Sequence, residues 1–415
     1  MNDRTLTFTT RIARPAAEVR AWLERPGVQA RLTPPWSPGA LESPGSPGTH
    51  RTAVRPDGPA ACWLDDHLTV RLPLGALGRG LAGGWANRRL ARIFRWRHAV
   101  TKADLELAAG YGPVPRRRIL LAGGSGLIGQ ALGPFLQTQG HEVVRLVRRE
   151  PAGTEEIRWD PARGECDAAR LEGIDAVVNL SGENVGAGRW TEARRRRIRS
   201  SRLDATRTLG AAVARLGRPP AVWVNASAVG FYGDAAADPC TETGPAGRGF
   251  LVDVVQAWEE AAVTAAGSIR EVRLRFGVVL NPAGGALPKM LPLFRAGLGG
   301  RLGAGRQWFS WISSEDAVGA VYHALVDPRL RGPVNGVAPG AVTNAEFTAT
   351  LAAVLGRPGV CAVPAALLRG VFGPMADETL LASTHAVPQV LTATDYRFRQ
   401  PGLEGALRHA LGVGA

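Results

Sequence analysis

One stretch, residues 118–149, constrains the fold more than any other because it alternates short apolar runs with a glycine-rich turn. Residues 119–122 form a short apolar run that suits a strand buried on both faces. A helix is predicted from Leu127 to Gly140, since glycine often follows the last helical turn. A second apolar run follows at 143–147. The order strand, turn, helix, strand predicts the start of a parallel sheet in an α/β protein.

The glycines of this turn have the spacing of a dinucleotide-binding motif, G-x-G-x-x-G, between a strand and a helix. The first glycine permits a tight turn, the second lets the backbone approach a pyrophosphate, and the third lets the helix pack closely on the sheet. The helix N-terminus offers free N–H groups and the positive end of its dipole. The context predicts nucleotide binding, although a glycine-rich turn in an unrelated α/β protein is the alternative. The predicted cofactor-binding residues of the turn are Gly123, Gly124, Ser125, Gly126, Leu127, Ile128 and Gly129.

The end of the second strand predicts which dinucleotide binds. NAD-binding units usually carry Asp or Glu here, which accepts hydrogen bonds from the ribose 2′-OH. This chain carries Arg148 and Arg149, with Arg145 before them and Glu150 after them. Guanidinium groups suit a 2′-phosphate, so we predict NADP(H) rather than NAD(H), held by Arg148 and Arg149. The alternative is a solvated basic strand end in an arginine-rich protein.

Strands and helices continue to alternate after this unit. The apolar patterns predict strands at 174–180, 221–227 and 272–280, and helices at 192–216 and 250–266. The alternation predicts a doubly wound parallel-sheet Rossmann domain. Small residues at the end of the first of these strands would let the backbone approach the cofactor. They add four candidate cofactor-binding residues: Leu180, Ser181, Gly182 and Glu183.

The first 110 residues lack this alternation. The patterns there predict a strand at 5–12, a helix opening at Arg14-Pro15, a strand at 62–72, a helix at 85–98 and a closing strand or helix at 101–107. Residues 33–60 are rich in Pro, Gly and Ser and show little strand pattern. Prolines and glycines mark a linker at 111–117. We therefore expect an α+β domain at 1–110, the Rossmann domain at 118–334 and a small α-rich domain at 335–415.

Composition constrains partners and location. The formal net charge is +14, and only Lys102 and Lys289 are lysine. Because no nucleic-acid-binding motif accompanies the arginines, we expect no nucleic-acid partner. No apolar run reaches the ~18 residues of a membrane span, and the N-terminus lacks the apolar core of a signal peptide. The four cysteines lack metal-site spacing. We expect a cytoplasmic protein without a metal site or a membrane span.

Several motifs together resemble the extended short-chain dehydrogenase/reductase superfamily. They are the glycine-rich turn, Asn179-Leu180-Ser181-Gly182, Ser227 with Phe231-Tyr232-Gly233-Asp234, Arg275 with Gly277, and Trp311-Ile312-Ser313-Ser314-Glu315-Asp316. More narrowly, the chain is similar to the atypical sugar-nucleotide-epimerase-like family, which carries a C-terminal domain of unassigned function. Residues 335–415 resemble that domain at Asn344-Ala345-Glu346-Phe347, Val363-Pro364 and Leu407.

The N-terminal residues more loosely resemble the polyketide-cyclase or START-like (SRPBCC) superfamily. This resemblance implies a helix-grip fold, in which a sheet wraps round a long helix and an apolar ligand occupies a cavity. Because strands between Trp36 and Cys62 are poorly indicated, a packing or dimerisation module is the alternative. The resemblance rests on the opening strand, Ala13 to Val19, Pro34-Pro35-Trp36, and the block from Leu72-Pro73-Leu74-Gly75 to His98.

Superfamily chemistry implies a Tyr-x-x-x-Lys pair, in which Tyr exchanges a proton with the substrate and Lys lowers the Tyr pKa and holds the nicotinamide ribose. None of the four tyrosines is followed by Lys four residues on. The resemblance implies that Ser227, at a strand end, hydrogen-bonds the substrate; capping of a turn is the alternative. Tyr232, in the following loop, is a candidate proton donor, or simply packs beside Gly233.

Two hypotheses of function follow. The first is an NADP(H)-dependent oxidoreductase or epimerase-like enzyme that acts on an unidentified small molecule. The second is a non-catalytic NADP(H)-binding sensor or scaffold whose N-terminal domain binds an apolar ligand or a partner. Turnover of the cofactor separates the two. Extended members of the superfamily are often dimers, so we also expect a homodimer.

Overall fold

A computed structural model describes residues 4–37, 49–70, 82–235 and 238–414. The chain forms two compact units. The first comprises the residues up to Val114 together with Gln137–Gly140 and the residues from Arg408 onward, and the second comprises Pro115–Leu136 and His141–Leu407. The separate C-terminal domain expected from residue 335 stays a prediction.

The first unit is an α+β structure. An antiparallel sheet has the order β1-β3-β2, with strands β1 (Arg4–Ile12), β2 (Thr49–Pro56) and β3 (Cys62–Val70). Its helices are α1 (Ala16–Leu23), α2 (Val28–Arg31) and α3 (Ala82–Tyr111). Trp22 of α1 and Trp96 of α3 are buried with Leu64 of β3 in one apolar core.

Two features of this unit differ from the prediction. Strand β2 was not predicted, because it is an edge strand whose residues are mostly exposed and therefore lack an apolar alternation. The predicted helix at 85–98 and the separate element at 101–107 are one helix of 30 residues, since no helix breaker lies between them. The Leu72–Gly75 block, on which part of the N-terminal resemblance rests, lies outside the described residues.

The second unit contains an eight-stranded sheet of order β15-β11-β9-β8-β4-β5-β6-β7. All neighbouring strands are parallel except β6 and β7, which pair antiparallel. The strands are β4 (Arg118–Ala122), β5 (Glu142–Val147), β6 (Glu156–Asp160), β7 (Glu165–Cys166), β8 (Ala176–Asn179), β9 (Val222–Ala228), β11 (Arg270–Phe276) and β15 (Gly332–Gly336). The predicted doubly wound parallel sheet is confirmed.

Helices lie between these strands along the chain. They are α4 (Leu127–Thr138), α5 (Glu192–Val213), α6 (Phe250–Ala266), α7 (Leu287–Arg295) and α8 (Ser314–Val326). Leu120 of β4 shares a buried core with Leu209 of α5, whereas the next residue, Leu121, faces Gly133 of α4. Successive residues of one strand thus contact helices on opposite faces, as a doubly wound sheet requires.

The predicted strand 272–280 is interrupted at Gly277. The chain leaves β11 there and continues as β12 (Val278–Leu280), which pairs with β14 (Trp311–Ser313). A Cβ atom at Gly277 would lie 2.7 Å from the Ser310 carbonyl oxygen, so the crossing requires glycine.

The remaining elements are short. They are strands β10 (Pro239–Cys240), β13 (Trp308–Phe309), β16 (Val342–Thr343) and β17 (His385–Ala386), and helices α9 (Asn344–Leu355), α10 (Ala365–Phe372), α11 (Gln389–Ala393) and α12 (Leu403–Leu411). Among the described residues, no helix combines the length and the apolar character that crossing a bilayer requires.

Candidate nucleotide-binding site

From β4 the chain continues to β5 on one side of the sheet, and from β8 it continues to β9 on the other side. A crevice forms at the carboxyl ends of β4 and β8, between these two diverging connections. The glycine-rich turn lies in this crevice. Gly123 has φ 79°, and a Cβ atom there would lie 2.6 Å from the carbonyl carbon of Leu180. The backbone after β8 therefore lies so close to the turn that no side chain fits at Gly123.

The middle of the glycine-rich turn is exposed to solvent, whereas the first turn of α4 packs tightly against the start of the glycine-rich turn. Ser125 and Gly126 are exposed, while Gly129 is buried in α4. A Cβ atom at Gly129 would overlap the Gly123 carbonyl oxygen and lie 2.7 Å from the Gly124 Cα atom. The glycines thus occupy the positions that bring a helix N-terminus close to a strand end, a geometry that suits a pyrophosphate.

The arginines at the end of β5 are not equivalent. Arg149 donates two hydrogen bonds to the buried carboxylate of Glu156, at 2.7 and 2.8 Å, and Arg145 lies 3.4 Å from the same carboxylate. The Arg149 hydrogen bonds, aided by the Ala152 N–H, lower the pKa of Glu156. Arg148 is exposed and makes no ion pair within the described part of the chain. Arg148 is therefore the cation that a ligand can reach without breaking an existing pair.

Of the predicted residues after β8, Leu180 and Ser181 lie beside the glycine-rich turn, whereas Glu183 contacts arginines of helix α5. The Leu180 N–H donates to the Ala122 carbonyl oxygen at 2.9 Å, which fixes this segment beside the glycine-rich turn. The Ser181 hydroxyl is buried and has no hydrogen-bond partner within the described residues. Glu183 instead forms ion pairs with Arg194 at 3.3 Å and Arg197 at 3.5 Å. A cofactor role for Glu183 stays a prediction and would require it to leave these arginines.

Ser227 lies at the carboxyl end of β9 in a buried ionic network. Its hydroxyl donates to the Glu259 carboxylate at 2.6 Å. Arg275 donates to both oxygens of that carboxylate, at 2.8 and 2.9 Å, and the Glu259 side chain is 4% exposed. Arg273 adds a contact of 3.3 Å. The serine is therefore oriented by a carboxylate that two arginines hold.

Tyr232 belongs to the same network. Its hydroxyl lies 2.7 Å from Asn335 Oδ1, 3.0 Å from the Thr241 carbonyl oxygen and 3.0 Å from Arg275 Nη1. The residue is 3% exposed, and burial raises its pKa. Catalytic roles for Ser227 and Tyr232 stay predictions, and proton donation by Tyr232 would require it to leave these partners.

Glu259 was missed in the sequence although a signal was present. Val252, Val255, Glu259 and Ala262 follow one another at spacings of three and four, so they share one face of α6. The valines and the alanine predict that this face is buried, and all four residues are buried. A carboxylate on a buried helical face needs a cationic partner, which here is Arg275 on a neighbouring strand.

Glu271 gives this network a pH dependence. Glu271 precedes Arg273 on the same face of β11, and burial raises its pKa from 4.5 to about 7. A folded-state pKa above the unfolded value destabilises the protein as pH rises from about 4.5 to 7. We expect Glu271→Gln to raise the free energy of unfolding by about 2 kcal/mol at pH 8 and by less than half of that at pH 5. Urea unfolding at the two pH values measures the difference, and an equal gain at both would contradict the assignment.

Within the described residues, no group of three or more His, Cys, Asp and Glu side chains is arranged to hold a metal ion. The four cysteines are free thiols. His323 is 2% exposed and lies 2.9 Å from the Thr394 hydroxyl.

Two family descriptions match the chain. Residues 119–335 match the NAD dependent epimerase/dehydratase family. Residues 363–410 match a domain of unknown function, DUF1731. The first match covers the eight-stranded sheet and the crevice, and the second covers the short helices near the C-terminus.

Individual relatives extend these matches. The chain is 45% identical over 293 residues to epimerase family protein Mb2239 of Mycobacterium bovis, which covers 70% of this chain and 97% of the relative. It is 38% identical to the crystal structure of human epimerase family protein SDR39U1 (isoform 2) with NADPH, covering 71% and 99% of the two chains with a TM-score of 0.66. A nucleoside-diphosphate sugar epimerase from Corynebacterium glutamicum is 28% identical, with a TM-score of 0.80 over 98% of this chain and 90% of its own.

Proposed function

Because the chain belongs to the NAD dependent epimerase/dehydratase family, we propose that it is an NADP(H)-binding oxidoreductase or epimerase-like enzyme that acts on a small molecule. The observation that carries the proposal is the close approach of Leu180 to Gly123 at the divergence point of a parallel sheet. Such a crevice is where dinucleotides bind to this class of sheet. The structure of the human relative with NADPH supports the choice of cofactor.

The residues of the crevice fit the parts of the cofactor. The exposed backbone of Ser125 and Gly126, at the start of α4, would receive the pyrophosphate. Arg148 is free to pair with the 2′-phosphate. Arg149 can also contact the phosphate if one of its N–H groups donates to the phosphate while another still donates to Glu156. The orphan hydroxyl of Ser181 gains a partner when a polar ligand enters.

The cofactor, when bound, supplies or accepts a hydride. The chain would have to supply the proton relay by another route than Tyr-x-x-x-Lys. Ser227, held at 2.6 Å by Glu259, is the candidate for orienting the substrate oxygen. The buried Arg275 holds that carboxylate in place, which fixes the direction of the serine hydroxyl.

The first test of this proposal is a fluorescence titration with NADPH and NADH. We expect Arg148→Gln to weaken NADPH binding by about tenfold or more, since a charge-assisted hydrogen bond contributes ~1.5–3 kcal/mol. NADH binding should change little, because NADH lacks the 2′-phosphate. Arg149→Gln should also weaken NADPH binding, but it leaves Glu156 with fewer partners.

The control is Arg163→Gln, which removes a 74% exposed arginine from the connection between β6 and β7. This variant should bind NADPH like the wild type. Equal losses for NADPH and NADH in Arg148→Gln would contradict the phosphate assignment. Absence of binding of either nucleotide to the wild type would overturn the proposed function.

One observation favours the second hypothesis, a non-catalytic NADP(H) sensor. The hydroxyl groups of Ser227 and Tyr232 already have buried partners, Glu259 and Asn335. A sensor would bind NADPH without oxidising it in the presence of carbonyl compounds, whereas an enzyme would consume it. The START-like N-terminal fold, its apolar ligand, the homodimer and the cytoplasmic location stay predictions.

A further inference from the structure

Lysine is almost absent from this chain. Of fifty Lys and Arg residues, only Lys102 and Lys289 are lysine. Lys102 lies on α3 of the first unit and forms an exposed helical pair with Glu106 at 3.9 Å. Lys289 is therefore the one lysine of the second unit. Its position matters because an arginine-rich chain supplies ordinary surface charge with arginine.

Lys289 lies in the first turn of α7, beside the crevice. The segment that leads into α7 contacts the cofactor helix, since Cβ atoms at Gly284 and Gly285 would lie 2.8 and 3.1 Å from the Leu127 side chain. Leu127 is the first residue of α4. The Lys289 ammonium then reaches across to donate a hydrogen bond to the Gly186 carbonyl oxygen, in the loop that follows β8. Lys289 remains exposed.

This position is on the nicotinamide side of the crevice. A dinucleotide binds such a sheet with its adenosine half beside the second strand, here β5 with Arg148, and its other half beyond the divergence point. Gly186 follows β8, which lies on the other side of β4 from β5. Lys289 and Arg148 therefore flank opposite halves of the predicted dinucleotide.

We propose that Lys289 contacts the nicotinamide-ribose half of bound NADP(H) and supplies from α7 the cation that a Tyr-x-x-x-Lys lysine would supply from α6. The inference rests on the proposed function. An ammonium group has three N–H donors, and within the described residues only one of them is used, in the bond to Gly186. A compact ammonium on a flexible stem reaches ribose hydroxyls that a planar guanidinium fits less well.

A purely structural role for Lys289 as a clamp on the loop is the competing explanation. The loop already has a clamp, since Arg194 Nη2 donates to the Asn184 carbonyl oxygen at 2.6 Å. Arg194 also pairs with Glu183 at the start of the same loop. The ammonium is thus not needed to hold the loop, and its exposed N–H groups are available to a ligand.

The test compares NADPH with 2′,5′-ADP, which contains the adenosine half and the 2′-phosphate but no nicotinamide ribose. We expect Lys289→Met to weaken NADPH binding at least tenfold and to leave 2′,5′-ADP binding unchanged. Arg148→Gln should weaken both ligands. Lys102→Met is the matched control, because it removes the other lysine from an exposed helical position. Isothermal titration calorimetry on the full-length protein measures all the affinities.

A second measurement uses the wild type. With two lysines, an amine-specific reagent and mass spectrometry report each side chain separately, and saturating NADPH should slow modification of Lys289 at least fivefold without affecting Lys102. Unchanged NADPH affinity in Lys289→Met, or equal losses for NADPH and 2′,5′-ADP, would overturn the inference and leave the proposed function intact. Failure of the wild type to bind NADPH would instead overturn the proposed function, and the inference with it.

Discussion

Glu259→Gln is expected to lower the free energy of unfolding by about 3–5 kcal/mol, because it leaves the buried Arg275 guanidinium without its counter-charge. Arg275 and Glu259 have side chains that are 4% exposed and share two hydrogen bonds of 2.8 and 2.9 Å. The glutamine amide has the shape of the carboxylate, but its NH2 group is a donor and would face a donating N–H group of Arg275. The Ser227 hydroxyl loses its charged acceptor in the same change.

The matched control is Glu260→Gln, one residue further along α6, where the side chain is exposed. It should change the free energy of unfolding by less than about 0.5 kcal/mol. Urea unfolding followed by circular dichroism measures both variants. A double variant, Glu259→Leu with Arg275→Met, should recover much of the loss because it removes both charges. A loss below about 1 kcal/mol in Glu259→Gln would show that Arg275 finds other partners.

The sheet could be predicted from the sequence because its determinants are local. Strands β4, β5 and β8 are dominated by short apolar runs, and Gly123, Gly126 and Gly129 mark where the first of them turns into a helix. Strands β6, β7 and β15 lack such runs and were not predicted. Edge and irregular elements lack such patterns. Strand β2 has few apolar residues to alternate, and the break at Gly277 depends on Ser310, which is far along the chain.

The parts of the candidate site that the sequence indicates directly are those set by local spacing. The turn residues and Arg148 follow from spacing within one unit of about 30 residues. The pairing of Arg149 with Glu156 and of Glu259 with Arg275 depends on which strands become neighbours, and spacing does not give this. Likewise, Lys289 reaches Gly186 across 103 positions. Long-range pairs of this kind decide which charged residues are free to bind a ligand.

Gly129→Ala is expected to weaken NADPH binding at least 100-fold, because α4 must move away from the turn to accommodate one methyl group. The added atom would overlap the Gly123 carbonyl oxygen and approach the Gly124 Cα atom to 2.7 Å, and neither backbone atom can yield without moving the turn itself. A misplacement of about 1 Å can cost an enzyme such a factor in rate, and we expect a comparable loss in affinity when the turn that holds the pyrophosphate moves. Overpacking of a buried contact also lowers the free energy of unfolding by about 1–3 kcal/mol.

Gly133→Ala, in the same helix, separates this steric effect from helix propensity. A Cβ atom at Gly133 would lie 3.8 Å from the Leu121 side chain, which is an ordinary contact. Alanine is favoured over glycine inside a helix by up to ~1 kcal/mol, but Gly133 precedes Pro134, whose ring disfavours helical backbone for a preceding residue with a Cβ atom. We therefore expect Gly133→Ala to change the free energy of unfolding little and to keep NADPH binding. Paired calorimetric titrations measure the two affinities. If Gly129→Ala bound NADPH as well as Gly133→Ala does, the close approach of α4 to the turn would not be what positions the cofactor.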